Sequence, residues 1–131
     1  MPDRPKTKSS AAKTKRVMPS FTKAPDDLVR IFENAMKDFP MAIQRKMFGY
    51  PAAFLGGHLT TSLHGPRWIV RLAEADRREI GAAGARPFEP MPGRPMREYV
   101  VLPEAFVSDP GARAEWIDRA VAYVRGLPPK A

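Results

Sequence analysis

The chain of 131 residues contains no cysteine and only two histidines. The missing cysteine excludes a disulfide scaffold, a cysteine-ligated zinc or iron–sulfur site and a thiol nucleophile, and two histidines are too few for a histidine-rich site. We therefore predict no metal and no cofactor. No apolar run approaches the roughly 18 residues of a membrane helix, and no apolar segment follows the first basic residues as in a secretory signal. These absences predict a cytoplasmic protein that has no membrane partner.

Positive charge is concentrated at the N-terminus. Residues 1–23 contain seven bases and one acid, a net charge of +6, whereas residues 24–131 have a net charge of +2. The first segment shows no apolar periodicity before Val17, so it cannot offset an ordering entropy of about 1–2 kcal/mol per residue. We predict a disordered basic tail over 1–23 and one domain over 24–131. The candidate nucleic-acid contacts in this tail are Lys6, Lys8, Lys13, Lys15 and Arg16.

Apolar spacing, glycines and prolines divide residues 24–131 into helices and strands. The predicted order is a helix of about 14 residues from Pro25, three strands, a short helix, two strands and a final helix. The predicted bounds are 46–55, 58–64 and 67–72 for the first strands, 73–83 for the short helix, 86–90 and 96–102 for the last strands, and Asp109-Pro110 for the start of the final helix. Strands joined by short turns are antiparallel neighbours. The predicted fold class is therefore α+β, with two layers, an antiparallel sheet of about five strands and helices on one face.

Four arginines are candidates for binding a partner. In the third predicted strand, Arg67 and Arg71 alternate with the apolar Trp68 and so lie on the opposite face of the sheet. Arg94 and Arg97 lie on or near a proline-rich turn. Together they could form a basic groove for phosphates or for an acidic partner. The alternative is that charged side chains protect sheet edges from aggregation, which the small net charge of residues 24–131 favours.

The two histidines, His58 and His64, could share one face of the second predicted strand with Ser62, as a base and a nucleophile would. Side chains two positions apart on a strand seldom align for proton transfer, and no third residue is evident to orient the base. No carboxylate lies between Asp38 and Glu74 to complete a local zinc site. We therefore interpret this strand as a polar, solvent-facing edge, and an enzyme that uses His58 or His64 is the weakest alternative.

One segment resembles a known family. Residues 45–59, RKMFGYPAAFLGGHL, are similar to the strand–hairpin signature of the TfoX/Sxy N-terminal domain family. The similarity continues through the third strand, the short helix, Gly84, the Arg86-Pro87-Phe88 segment and the helix that contains Trp116, and it covers about residues 26–127. The resemblance implies a fold like that of secretion chaperones and a bacterial regulatory protein without catalysis. We expect a single-domain member that lacks the helical C-terminal domain of full-length competence regulators.

Two functional hypotheses follow. The first is a non-enzymatic binding or regulatory module that contacts a protein partner, or a second copy of itself, through a sheet edge or a helix face. The second is a nucleic-acid-associated protein whose basic tail makes weak, sequence-independent phosphate contacts. The hypotheses are compatible, because one concerns residues 24–131 and the other concerns residues 1–23.

Overall fold

The computed structural model describes residues 23–130, which form one antiparallel sheet of six strands and four α-helices. The helices are α1 (Asp26–Ala35), α2 (Glu74–Ala82), α3 (Glu104–Val107) and α4 (Pro110–Arg125), and a 3-10 turn (Met36–Asp38) follows α1. The strands are β1 (Ile43–Met47), β2 (Tyr50–Leu55), β3 (His58–His64), β4 (Arg67–Arg71), β5 (Arg86–Pro87) and β6 (Tyr99–Val101). Their order across the sheet is β1-β2-β3-β4-β6-β5. The predicted α+β class is confirmed.

The sixth strand comes from a hairpin that the sequence analysis did not predict. The single strand predicted over 46–55 is wrong, because the chain reverses at Phe48 and Gly49 and β1 pairs with β2. Phe48 has a φ of 55° and Gly49 a φ of 82°. Positive φ at both central residues is the geometry of a type I′ turn, whose twist matches that of the flanking strands. Phenylalanine is a strand former, so the composition of this segment conceals the turn.

Strand β3 is the third of six strands, so its interpretation as a solvent-facing edge is wrong. Thr60, Thr61 and Ser62 are buried between its two histidines. The Thr61 hydroxyl accepts a hydrogen bond from the Trp68 indole nitrogen at 2.9 Å and donates one to the Ile69 carbonyl oxygen at 2.7 Å. These partners satisfy a buried polar group that would otherwise cost free energy. Tertiary packing therefore overrides the polar composition of this strand.

The last two strands are shorter than their predicted bounds. β5 ends at Pro87 rather than at Pro90, and β6 spans only Tyr99–Val101. Proline has no N–H to donate to a ladder, which confines it to edges and strand ends. The chain between the two strands continues as a loop, in which the Met96 N–H donates to the Phe88 carbonyl oxygen at 2.9 Å. α3 is an element that the sequence analysis did not predict.

The helices α1 and α4 pack on one face of the sheet. The Phe32 ring of α1 lies 5.1 Å from the Trp68 ring, and α4 contacts β2, β3 and β4. α4 begins as predicted, because the Asp109 carboxylate accepts hydrogen bonds from the first free N–H groups of the helix. Its buried stripe consists of Trp116, Ile117, Ala120, Val121 and Val124. Within residues 23–130, no helix has both the length and the apolar character needed to span a bilayer.

Candidate functional site

The face of the sheet opposite the helices displays the arginines of β4. Arg67 and Arg71 alternate with Trp68 and Val70, which belong to the main core. The predicted separation of the two faces is therefore confirmed. A second, smaller cluster of buried side chains forms on the arginine face, from Ile69, Phe88 and Tyr99.

Arg71 is held in an internal network. Its guanidinium contacts one carboxylate oxygen of Glu98 at 2.7 Å, and the Tyr123 hydroxyl donates to the other oxygen at 2.8 Å. Burial disfavours the charged carboxylate, but the hydrogen bonds from Tyr123 and Arg71 outweigh burial and lower the pKa of Glu98. Glu98 adopts a φ of 74°, an uncommon conformation for a residue other than glycine. The network therefore links β4 to α4 and holds Arg71 in a fixed place.

Arg67 is positioned by its cross-strand neighbour His64. The guanidinium donates to Nδ1 of His64 at 2.9 Å and lies 5.5 Å from the centre of the Phe88 ring. The imidazole itself lies between Tyr50 and Phe88, with ring centres 5.0 Å and 5.1 Å away. Burial and the charge of Arg67 both lower the pKa of His64. Neutral His64 therefore serves as an acceptor that orients Arg67.

The other predicted arginines lie on the loop between β5 and β6. Arg94 and Arg97 are exposed, and the backbone of Arg94 closes a turn with Met91 through a hydrogen bond of 2.9 Å. The four candidate arginines thus occupy different settings, with Arg71 engaged internally and Arg67 oriented by an imidazole. The predicted tail contacts Lys6, Lys8, Lys13, Lys15 and Arg16 lie outside the described residues.

The two histidines are held by different partners at opposite ends of β3. His58 donates from Nε2 to the carbonyl oxygen of Pro128 at 2.6 Å, and Arg71 approaches its Nδ1 at 3.5 Å. His64 contacts Arg67, as described above. Among residues 23–130, no group of three or more histidine, aspartate or glutamate side chains is arranged to hold a metal ion.

The outer edge of β1 is a surface that the sequence analysis did not identify. Within residues 23–130, β1 pairs with β2 alone, so one side of its backbone has no neighbouring strand. Four of its five residues are exposed. Three large apolar side chains along this edge and its flanking turns are exposed, since Phe48 is 84% exposed, Ile43 64% and Met41 46%. Isolated exposed apolar residues are normal, but several of them beside an open edge are typical of an interaction site.

The residues of β1 and its surroundings determine the charge of this edge. On the side of the second cluster, the Arg45 guanidinium lies 4.5 Å from the centre of the Phe54 ring, and no carboxylate among residues 23–130 forms an ion pair with it. On the other side, a cavity of about 340 Å³ separates β1 from α1. Its lining includes two acidic residues, Asp26 and Glu33, and three basic ones, Lys23, Lys46 and Arg45. β1 itself contains Arg45 and Lys46 and no acidic residue, so its edge is basic.

The fold is a two-layer α+β domain, and its open sheet edge is a surface to which an extended segment can add as a further strand. The family model of the TfoX N-terminal domain matches residues 34–124, so the chain belongs to the TfoX N-terminal domain family. This assignment confirms the resemblance seen in the sequence and places the chain among regulatory or binding modules at the level of the family. Comparisons with curated proteins and with solved structures gave no significant match.

Proposed function

We propose that this domain is a non-enzymatic binding module and that an extended acidic segment of a partner protein adds to its sheet beside β1. The observation that carries the proposal is the open edge of β1, flanked by the exposed side chains of Ile43 and Phe48. Addition of a strand to an exposed edge is a recurrent mode of peptide recognition, in which backbone hydrogen bonds give affinity and side chains give specificity.

The turn geometry determines which backbone groups a partner would meet. A type I′ turn is closed by a hydrogen bond between the residues that flank it, here Met47 and Tyr50. Hydrogen-bonded and non-hydrogen-bonded pairs alternate along an antiparallel ladder. Arg45 is therefore bonded to β2, whereas Gln44 and Lys46 direct their N–H and C=O groups toward the open edge. An added strand would form its hydrogen bonds with these two residues.

The side chains of β1 indicate which partner sequence fits. Ile43, Arg45 and Met47 share the face that also contains Phe54. A strand paired with β1 would place an acidic residue opposite Arg45 and apolar residues two positions away on either side. Opposite charges and apolar pairs at facing positions each stabilise a sheet by about 0.2–1 kcal/mol. The expected motif is therefore apolar, any residue, acidic, any residue, apolar.

A second copy of the chain fits this edge less well. An antiparallel pair of β1 strands that uses all five residues of each strand is centred on Arg45, so the two Arg45 side chains would face each other. Like charges directly opposite one another destabilise a sheet. Charge complementarity therefore favours an acidic partner over self-association.

The test is a titration of the full chain with an end-blocked peptide that has glutamate at its centre, valine two positions away on each side and threonine elsewhere. We expect amide NMR signals of β1 to shift on binding. The same peptide with lysine at its centre should bind about tenfold more weakly, because an attractive pair is replaced by a repulsive one.

A matched pair of variants separates strand addition from other modes of binding. Gln44→Pro removes an N–H that points to the open edge and keeps the β1–β2 ladder, since edge strands tolerate proline where the N–H faces solvent. Gln44→Ala keeps the N–H. We expect Gln44→Pro to abolish binding and Gln44→Ala to retain it. Equal binding by both variants, or a dimer in sedimentation that Gln44→Pro dissociates, would overturn the proposal.

The basic tail supports a second candidate function, weak nucleic-acid binding. Residues 1–23 hold six of the eight net positive charges. If about five of these cations contact phosphates, the logarithm of affinity should fall with the logarithm of salt concentration at a slope of roughly −4 to −5. Replacement of Lys6, Lys8, Lys13, Lys15 and Arg16 by glutamine should remove this slope on two unrelated duplexes. Binding of one duplex alone that survives the replacement would contradict the tail hypothesis.

A further inference from the structure

A second concave surface lies at the opposite end of the sheet from β1. It is a cavity of about 720 Å³ between the β3–β4 turn, β5, the end of β6 and the loop after β5. This volume falls within the range of about 300–1,000 Å³ that is usual for small-molecule sites. A macromolecular partner would need a broader surface, so the size points to a small ligand.

Two arginine residues, Arg67 and Arg86, are among those that line this cavity. Val101 pairs with Ile69 of β4 on one side and with Arg86 of β5 on the other, so Arg86 lies on the same face as Arg67. Their backbones are separated by two strand spacings of about 4.8 Å across the sheet and by an offset of two residues, about 7 Å, along β4. Two long arginine side chains can bridge this distance by converging on one ligand. The side chains of Arg67 and Arg86 can therefore contact the same ligand in this cavity.

The charge of the cavity is not neutralised from within. Glu89 also lines it, but among residues 23–130 no carboxylate lies within ion-pair distance of Arg67 or Arg86. This contrasts with Arg71, on the same strand as Arg67, whose guanidinium is paired with Glu98 at 2.7 Å. The exposed charges of Arg67 and Arg86 are thus available to an anion.

The remaining walls are apolar and rigid. Pro87, Pro90, Pro92 and Pro103 line the cavity together with Met91 and Val101. Proline has a fixed φ and little conformational freedom to lose. His64 holds the Arg67 side chain in place before a ligand arrives, which reduces the entropic cost of binding.

We propose that this cavity binds a small organic anion, with a carboxylate or phosphate group between Arg67 and Arg86 and an apolar body against the proline wall. A guanidinium binds either oxyanion through two parallel hydrogen bonds. The proposal is independent of the peptide edge, because none of the cavity-lining residues belongs to β1 or β2.

The test is an NMR titration of the full chain with benzoate, phenyl phosphate, inorganic phosphate and the neutral benzamide. We expect benzoate or phenyl phosphate to shift the Arg67 side-chain N–H signal and the amides of residues 84–92. Benzamide tests the need for charge and inorganic phosphate tests the need for the apolar body, so both should bind at least about tenfold more weakly. The ratio of benzoate to phenyl phosphate affinity tells which oxyanion the cavity prefers.

Three variants test the roles of the arginines: two of them replace an arginine that lines the cavity, and the third, a control, replaces one that does not. Arg67→Gln and Arg86→Gln should each weaken binding about tenfold, because each removes a charge-assisted contact. Arg86 lies exposed on a two-residue strand, so its replacement should not disturb folding. Arg94→Gln removes an exposed charge on the adjoining loop that does not line the cavity, and it should bind like the original chain. Equal weakening by all three variants, or benzamide binding as tightly as benzoate, would overturn the proposal.

Discussion

The two faces of the sheet differ in the number of buried side chains that pack on them. The helix-covered face belongs to a cluster of eighteen buried residues that includes Phe32, Trp68 and Trp116. The opposite face has a buried cluster of three, Ile69, Phe88 and Tyr99. Large apolar burial is the main source of stability, so the first face should supply most of the stability of the domain.

The smaller cluster contributes less to stability, but it orients the charged side chains that lie beside it. Arg67 lies near Phe88, and Arg71 lies 5.5 Å from the centre of the Tyr99 ring. Aromatic rings attract guanidinium groups and limit their freedom. The helix face therefore determines whether the chain folds, whereas the arginine face determines where its positive charges point.

The largest expected effect is that of Trp68→Ala on the helix face. Trp68 is 1% exposed, and its indole nitrogen donates to Thr61. Truncation leaves a large cavity and a hydroxyl without its donor, so the free energy of unfolding should fall by about 3–5 kcal/mol. Urea unfolding followed by circular dichroism measures this loss. A loss below about 1 kcal/mol would contradict the assignment of Trp68 to the main core.

Phe88→Ala makes the matching change on the arginine face. Phe88 is 5% exposed but packs with only two other buried residues, and the side chains around this small cluster are partly exposed. A partly open site can collapse or hydrate, so we expect a loss of about 2–3 kcal/mol. The variant should also release Arg67, which the NMR signal of its side-chain N–H would report. If Phe88→Ala proved more costly than Trp68→Ala, the ranking of the two faces would be reversed.

Glu98→Gln tests the link between the arginine face and α4. The change leaves a partly buried Arg71 without its ion pair, and we expect a loss of about 1–2 kcal/mol. Because the folded-state pKa of Glu98 is depressed, the ion pair contributes stability above the ordinary value of 4.5, and this stability is lost as the pH falls below that value. The variant should therefore show a weaker dependence of unfolding free energy on pH in this acidic range. Tyr123→Phe is the milder control, since it removes one hydrogen bond and keeps both charges.

The smallest expected effect is the pH dependence contributed by His64. Its folded-state pKa lies below the ordinary value of 6.5, so the unfolded chain takes up a proton more readily than the folded chain. The free energy of unfolding should fall as the pH drops below about 6.5 and continue to fall until the folded-state pKa is passed. His64→Gln should flatten this slope. A slope that His64→Gln leaves intact would show that another group causes it.

The candidate surfaces were only partly predictable. Alternation along β4 predicted correctly that Arg67 and Arg71 face away from Trp68, because the period of a strand is two residues. The same pattern could not tell that Arg71 would pair with Glu98, which is 27 residues away in the chain. It also could not show that Arg86 and Arg67 line one cavity, since β6 separates their strands. The open edge of β1 escaped prediction because the turn at Phe48 and Gly49 contains a strand former where asparagine or aspartate is usual.

Local patterns in the sequence were enough to predict the α+β class, the arginine alternation of β4 and the start of α4 at Asp109. These features depend on residues close together in the chain, through side-chain periodicity, turn preference and helix capping. Three features follow instead from the folded arrangement: β3 is central, β1 is left open, and Arg67 and Arg86 line one cavity. Those outcomes depend on the lateral order of the strands, which is settled by contacts between distant segments and leaves no local pattern in the sequence.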